Sequence, residues 1–131
     1  MKIGVLLTPM SAYNLKLVSQ VGATDIVACY PGLYLNTLLD QQRKVGKYGL
    51  KISCVERLIP TLKFVHNLPG ADEQIEGFKT LIRNMGRADV KTLCYSWMPD
   101  DDWQRTSLDT VERGGAITTA FDLQLQKSAQ I

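Results

Sequence analysis

Apolar positions along this chain fall into short unbroken runs that alternate with longer stretches of helical spacing. Lys2 to Leu7 is a brief apolar run with little alternation, the pattern of a strand covered on both faces. Ser11 then offers an N-cap to a helix over about residues 12–21, which Gly22 closes. Asp25-Ile26-Val27-Ala28-Cys29 repeats the strand pattern, and after Pro31-Gly32 the residues Leu35, Leu38 and Leu39 fall at helical spacing until Lys44, Gly46 and Lys47 end a second helix. Leu50 to Glu56 predicts a third strand. Over about residues 72–85, Ile75, Phe78, Leu81, Ile82 and Met85 form one apolar stripe, the clearest helical signal in the chain. Asp72 and Glu73 occupy its first turn, Arg83 and Arg87 lie at or just past its last, and Gly86 supplies the stop. Val90 to Tyr95 predicts a fourth strand.

Strand starts recur about 25 to 40 residues apart with one helix between them, which predicts an α/β chain built as a (βα)3β parallel sheet from right-handed crossovers. A single domain over residues 1–131 is expected, with no repetition beyond the βα unit. From Trp97 onward the chain reads as a long C-terminal loop or tail of mixed character, in which Leu123-Gln124-Leu125-Gln126-Lys127 at most starts another helix.

Composition narrows the class. At 131 residues, 45% hydrophobic and 21% charged, the chain is long and apolar enough for an ordinary globular core. Fifteen basic against thirteen acidic residues give a formal charge of +2 without a concentrated basic stripe, so no nucleic-acid partner is expected. The opening apolar run ends at Thr8-Pro9 and no later stretch approaches a bilayer span, so no membrane association and a cytoplasmic location are expected. Cys29, Cys54 and Cys94 are odd in number and widely spaced, which indicates neither a disulfide framework nor a zinc knuckle. All three fall in predicted strands; packing among aliphatic side chains is the expected role, against three thiolates converging on a metal.

Ligands of parallel sheets sit at the carboxyl ends of the strands, which directs attention to the connections after Leu7, Cys29, Glu56 and Tyr95. The third carries Glu56, Arg57, Thr61, Lys63 and His66 in a segment longer than a usual βα loop. The fourth combines Tyr95, Trp97, Asp100, Asp101, Asp102, Trp103, Arg105 and Thr106: apolar walls for a sugar face, hydrogen-bonding groups and a cation. Arg105 is singled out because a guanidinium grips a carboxylate through two parallel hydrogen bonds, the competing role being a surface ion pair with a neighbouring aspartate. His66 is the only histidine, so one chain cannot form a paired-histidine metal site, and loop packing competes with proton transfer for its role. The three aspartates lack the alternating spacing of a calcium loop and read as solvated turn residues. Trp97 and Trp103 suit either stacking or loop packing, and Glu56 either a ligand role or a pair with a neighbouring cation. No dinucleotide fingerprint, Walker loop, nucleophile elbow or His-Glu-x-x-His occurs.

Five stretches carry a resemblance: Glu56-Arg57-Leu58-Ile59-Pro60; Leu68-Pro69-Gly70 followed by Asp72-Glu73-Gln74-Ile75; Ile82-Arg83-Asn84-Met85-Gly86; Leu93-Cys94-Tyr95-Ser96-Trp97-Met98-Pro99; and Trp103-Gln104-Arg105-Thr106. Together they resemble the mannonate dehydratase family. The resemblance implies a xylose-isomerase-like TIM barrel of which this chain is the amino-terminal portion, a partial barrel. It also implies a lyase of hexuronate and carbohydrate metabolism that converts D-mannonate to 2-keto-3-deoxy-D-gluconate and water with a divalent metal, manganese or iron. The family's metal ligands and catalytic residues belong to later strands, so no metal or catalytic residue is assigned here, and no cofactor is expected for these residues alone. What carries over is a substrate-binding wall: His66, Trp103, Arg105 and Thr106. Ala71, Ser96, Gln104 and Thr61 depart from the family pattern, which resembles relaxed selection on a site. The family implication is therefore a truncated, inactive form, with a sugar isomerase or epimerase of the same barrel superfamily, or a non-catalytic sugar-acid-binding or assembly fragment, as alternatives. A sugar acid is the expected small-molecule partner once the barrel is completed. A barrel opened between its fourth and fifth strands exposes two sheet edges, so a second copy or a complementary barrel fragment is an expected partner.

Overall fold

The computed structural model describes residues 1–96 and 104–128, which belong to two compact units, Met1–Pro99 and Asp100–Ile131. The first unit holds four parallel strands in the order β1 (Gly4–Leu6), β2 (Asp25–Ala28), β3 (Lys51–Val55) and β4 (Thr92–Leu93). Helices α1 (Ala12–Gln20), α2 (Leu35–Gly46) and α4 (Ala71–Arg87) make the crossovers, and the (βα)3β reading of the sequence is observed. One short helix was not expected: α3 (Leu62–Val65) interrupts the connection between β3 and α4.

Local chemistry explains most of the boundaries. The Ser11 side chain accepts the Asn14 amide proton at 3.1 Å and so caps α1, as its sequence position suggests. Gly22 takes φ of 81° just past the helix, where a Cβ would be strained. The end of α4 differs from expectation. Gly86 stays inside the helix, which runs on to Arg87, and Asp89 takes the left-handed position at φ of 56°. Short polar side chains tolerate that region, and the Val90 amide closes the turn on the Met85 carbonyl at 2.9 Å.

Packing is one-sided. Leu15 and Val18 of α1, Leu38 and Val45 of α2, and Leu81 and Met85 of α4 bury against Ile26, Ala28, Ile52 and Val55 of the sheet. The apolar stripe of α4 is rotated from the expected one: Asn84 is buried beside Leu81 and Met85, whereas Ile82 is exposed and lines an open groove with Met85, Val90 and Leu93. On the other face of the sheet, Gly4 lies beside Val27, whose Cγ2 would be 3.7 Å from an added Cβ, and Leu6 remains 37% exposed. The β2–β3 register slips after Ile26, so that Ile26 pairs with Ile52 but Val27 with Cys54. β1 and β4 are the outer strands of this sheet.

In the second unit the expected long tail folds in part as an antiparallel hairpin of β5 (Ser107–Val111) and β6 (Ile117–Ala120). Its five-residue turn places Gly114 and Gly115 at φ of 77° and 81°. The helix start expected at Leu123–Lys127 is a single 3-10 turn, Leu125–Ser128. Among the described residues no helix is long and apolar enough to cross a membrane.

Candidate functional site

The connections at the carboxyl ends of β2 and β3 are joined to each other and to α4. The Glu56 amide donates to the Ala28 carbonyl at 2.7 Å and the Tyr30 amide to the Arg57 carbonyl at 3.1 Å, which extends the β2–β3 pairing beyond the strands themselves. Arg57 and Leu58 then both take left-handed backbone, at φ of 64° and 57°. For branched or bulky side chains that conformation is strained by about 1 kcal/mol or more each, and such strain concentrates at functional ends of folds. The β2–α2 connection is held from α4, where the Asn84 side-chain amide donates to the Leu33 carbonyl at 2.8 Å. Two turns toward the amino end of α4, Gly77 leaves room for the Leu33 side chain, whose Cδ2 would be 3.4 Å from an added Cβ.

Between these connections and α4 lies a cavity of about 140 Å³ lined by Tyr30, Leu33, Ile59, Glu73, Phe78 and Leu81. Its walls are chiefly apolar, and burial pushes the Tyr30 hydroxyl above the usual phenol range. On β3, burial likewise pushes the Cys54 thiol up, opposed by a hydrogen bond from the Cys94 backbone amide and reinforced by the nearby Cys94 and Glu56 charges. Cys54 is buried as expected, whereas Cys29 is half-buried and Cys94 exposed. Among the described residues, no three His, Cys, Asp or Glu side chains gather as a set able to hold a metal ion. The described donor set does not fit a resident divalent metal.

His66, expected as part of a binding wall, is an exposed residue that ends α3 in the first unit, with its amide donating to the Leu62 carbonyl at 3.1 Å. Arg105 and Thr106 stand together at the base of the hairpin in the second unit. Arg105 Nε donates to Thr119 Oγ1 and its Nη1 to the Gln104 carbonyl, both at 2.9 Å. These bonds orient the guanidinium and use part of its donor fork. The Thr106 hydroxyl accepts the Asp122 amide proton at 2.7 Å, closing the hairpin where the Thr106 amide meets the Ala120 carbonyl at 2.9 Å. Trp97, Asp100, Asp101, Asp102 and Trp103 lie outside the described residues. Two residues that sequence reasoning passed over, Gln74 and Asn84, provide side-chain bonds that hold the strand-end connections; both lie in quoted stretches, Gln74 beside Glu73 and Asn84 between Arg83 and Met85.

Comparisons with known proteins point to one family. The family model described as D-mannonate dehydratase (UxuA) matches residues 7–131. A mannonate dehydratase of Streptococcus equi subsp. zooepidemicus is 36% identical over 87 residues, 66% of this chain and 24% of that protein. One from Thermotoga maritima is 35% identical over 88 residues, 67% of this chain and 24% of that protein. The matched stretch thus spans about a quarter of the length of these curated relatives. The crystal structure of mannonate dehydratase from Streptococcus suis serotype 2 superposes with a TM-score of 0.87 at 27% identity, covering 99% of this chain and 40% of that one.

Proposed function

Because the chain belongs to the mannonate dehydratase family, we propose that these residues form the amino-terminal part of a single β/α barrel, its first four strands, whose assembled form removes water from D-mannonate to give 2-keto-3-deoxy-D-gluconate. The observation that carries this reading is the superposition of 99% of the chain on a mannonate dehydratase structure. In the assembled barrel this chain contributes binding and orientation. Arg105, steered by Thr119 and the Gln104 carbonyl, presents its remaining guanidinium protons to the sugar-acid carboxylate. His66, Trp103 and Thr106 contribute to the wall against which the sugar chain lies. The described donor set holds no metal-binding cluster, so the manganese or iron of the reaction is to be held by ligands from later strands, supplied by a longer chain or a complementary barrel fragment. These residues alone are then a non-catalytic part of a cytoplasmic enzyme of hexuronate catabolism.

The test replaces the aligned part of the Streptococcus suis enzyme with residues 7–131 of this chain and supplies D-mannonate and manganese. Formation of 2-keto-3-deoxy-D-gluconate by the chimera, with none by the 131-residue chain alone, is the expected result. A chimera that folds and binds manganese but forms no 2-keto-3-deoxy-D-gluconate would overturn it.

A further inference from the structure

The connection between β3 and α4, residues 56–70, stands at the carboxyl end of the sheet and carries His66 at the close of α3. A four-residue helix has little stability of its own. Its natural capping residue, Thr61, makes no side-chain capping bond. The capping is done from another element: Gln74 Oε1, on the second turn of α4, accepts the amide protons of Lys63 at 2.8 Å and Phe64 at 3.2 Å. These are the second and third amides of α3, the pair that an N-cap side chain ordinarily satisfies. One turn further along α4, Phe78 meets the Phe64 ring edge to face, with centroids 5.9 Å apart and planes at 71°. The far end of the segment is tied back by the Leu68 amide on the Lys63 carbonyl at 2.7 Å and the Ala71 amide on the Leu68 carbonyl at 3.0 Å. His66 is therefore one helical turn from two amides that are pinned to α4.

We propose that Gln74 is a positioning residue of the sugar-acid site, capping α3 from α4 so that the His66 turn is held in place before substrate arrives. The inference rests on the reading that His66 lines that site. An asparagine is one methylene shorter than the span, and an apolar residue removes the Gln74 acceptor from both amides, so the contact demands a side chain of glutamine length with a strong acceptor.

The experiment uses the completed barrel, the Streptococcus suis chimera carrying residues 7–131, in three versions: unsubstituted, Gln74→Met, which keeps side-chain length without a strong acceptor, and Gln74→Glu, which keeps an acceptor. Amide hydrogen exchange is read at Lys63 and Phe64, and D-mannonate is titrated while the imidazole NMR signal of His66, assigned by its loss in His66→Gln, is followed. In Gln74→Met the two amides are expected to exchange about tenfold faster and the D-mannonate dissociation constant to rise about fivefold, with protection of β2 and β3 unchanged. Gln74→Glu is expected to restore both to within about twofold. Unchanged exchange in Gln74→Met overturns the clamp. Faster exchange with unchanged D-mannonate affinity overturns the positioning role and leaves a purely structural contact. A His66 signal in the otherwise unsubstituted chimera that saturating D-mannonate does not move overturns the assignment of His66 to the site, a failure separable from the clamp because Gln74 is unchanged.

Discussion

Asn84→Ala offers a sharp test of how α4 organises the strand ends, because two known effects oppose each other in it. Asn84 is 9% exposed, and its side-chain amide reaches the Leu33 carbonyl at 2.8 Å across 51 positions of sequence. Losing that donor to a part-buried carbonyl costs about 1 to 2 kcal/mol, and the small void adds up to about 0.5 kcal/mol. Alanine returns about 0.6 kcal/mol of helix propensity. The net expectation is a loss of about 1 kcal/mol, read as a midpoint shift in urea at constant slope, or a fall in Tm of about 4 °C. A variant as stable as the parent would mean that the bond to Leu33 contributes no more than the roughly 0.6 kcal/mol that alanine's propensity returns. Asn84→Asp adds a pH test at nearly constant shape. An ionised carboxylate has no proton to donate to Leu33, so the protonated form is favoured in the fold and the folded pKa rises above the ordinary value of about 3.9. A raised folded pKa gives stability that is present below about pH 4 and lost as pH climbs through the folded value. The aspartate variant should therefore approach the parent in acid and fall below Asn84→Ala at neutral pH, and a stability difference that stays flat from pH 4 to 7 would refute the donor role.

Three further outcomes are expected. Leu58→Gly relieves the left-handed strain at φ of 57° and should stabilise the chain by about 0.5 to 1 kcal/mol in thermal or urea denaturation even after the added entropy of the unfolded glycine, with a loss of stability counting against strain at that position. Alkylation by iodoacetamide at pH 8 should modify exposed Cys94 before half-buried Cys29 and Cys54 last, because burial raises the Cys54 thiol; the raised folded value also means that stability declines as pH climbs past the usual thiol range, and mass spectrometry showing Cys54 reacting as fast as Cys94 would contradict both. Arg105→Lys keeps the charge but loses the planar fork oriented by Thr119; D-mannonate affinity of the assembled barrel should fall about tenfold with the fold intact, and an unchanged dissociation constant would remove Arg105 from the site.

Elements with strong local signals were legible in the residues. The parallel (βα)3β order follows from apolar runs too unbroken for half-exposed strands, and the Ser11 cap and the Gly22 stop are local chemistry that needs no tertiary partner. The hairpin of the second unit had usable signals that the mixed composition masked: β-branched residues in Thr110-Val111 and Ile117-Thr118-Thr119, flanking Gly114-Gly115. Other features were decided only by packing. Which residue ends α4 depended on the β4 approach, so Asp89 took the left-handed position and Gly86 did not. Burial of Asn84 in place of Ile82 depends on where the Leu33 carbonyl arrives, a long-range fact that helical periodicity does not contain. The same holds for α3, whose four residues carry no convincing propensity and acquire their cap from Gln74 on another helix. Sequence by itself thus determined the order of elements and the residue types at the strand ends, because apolar periodicity and capping are local. Only the tertiary structure decided which side chains hold those ends in place, because hydrogen bonds between distant segments exist only after the helices have packed on the sheet.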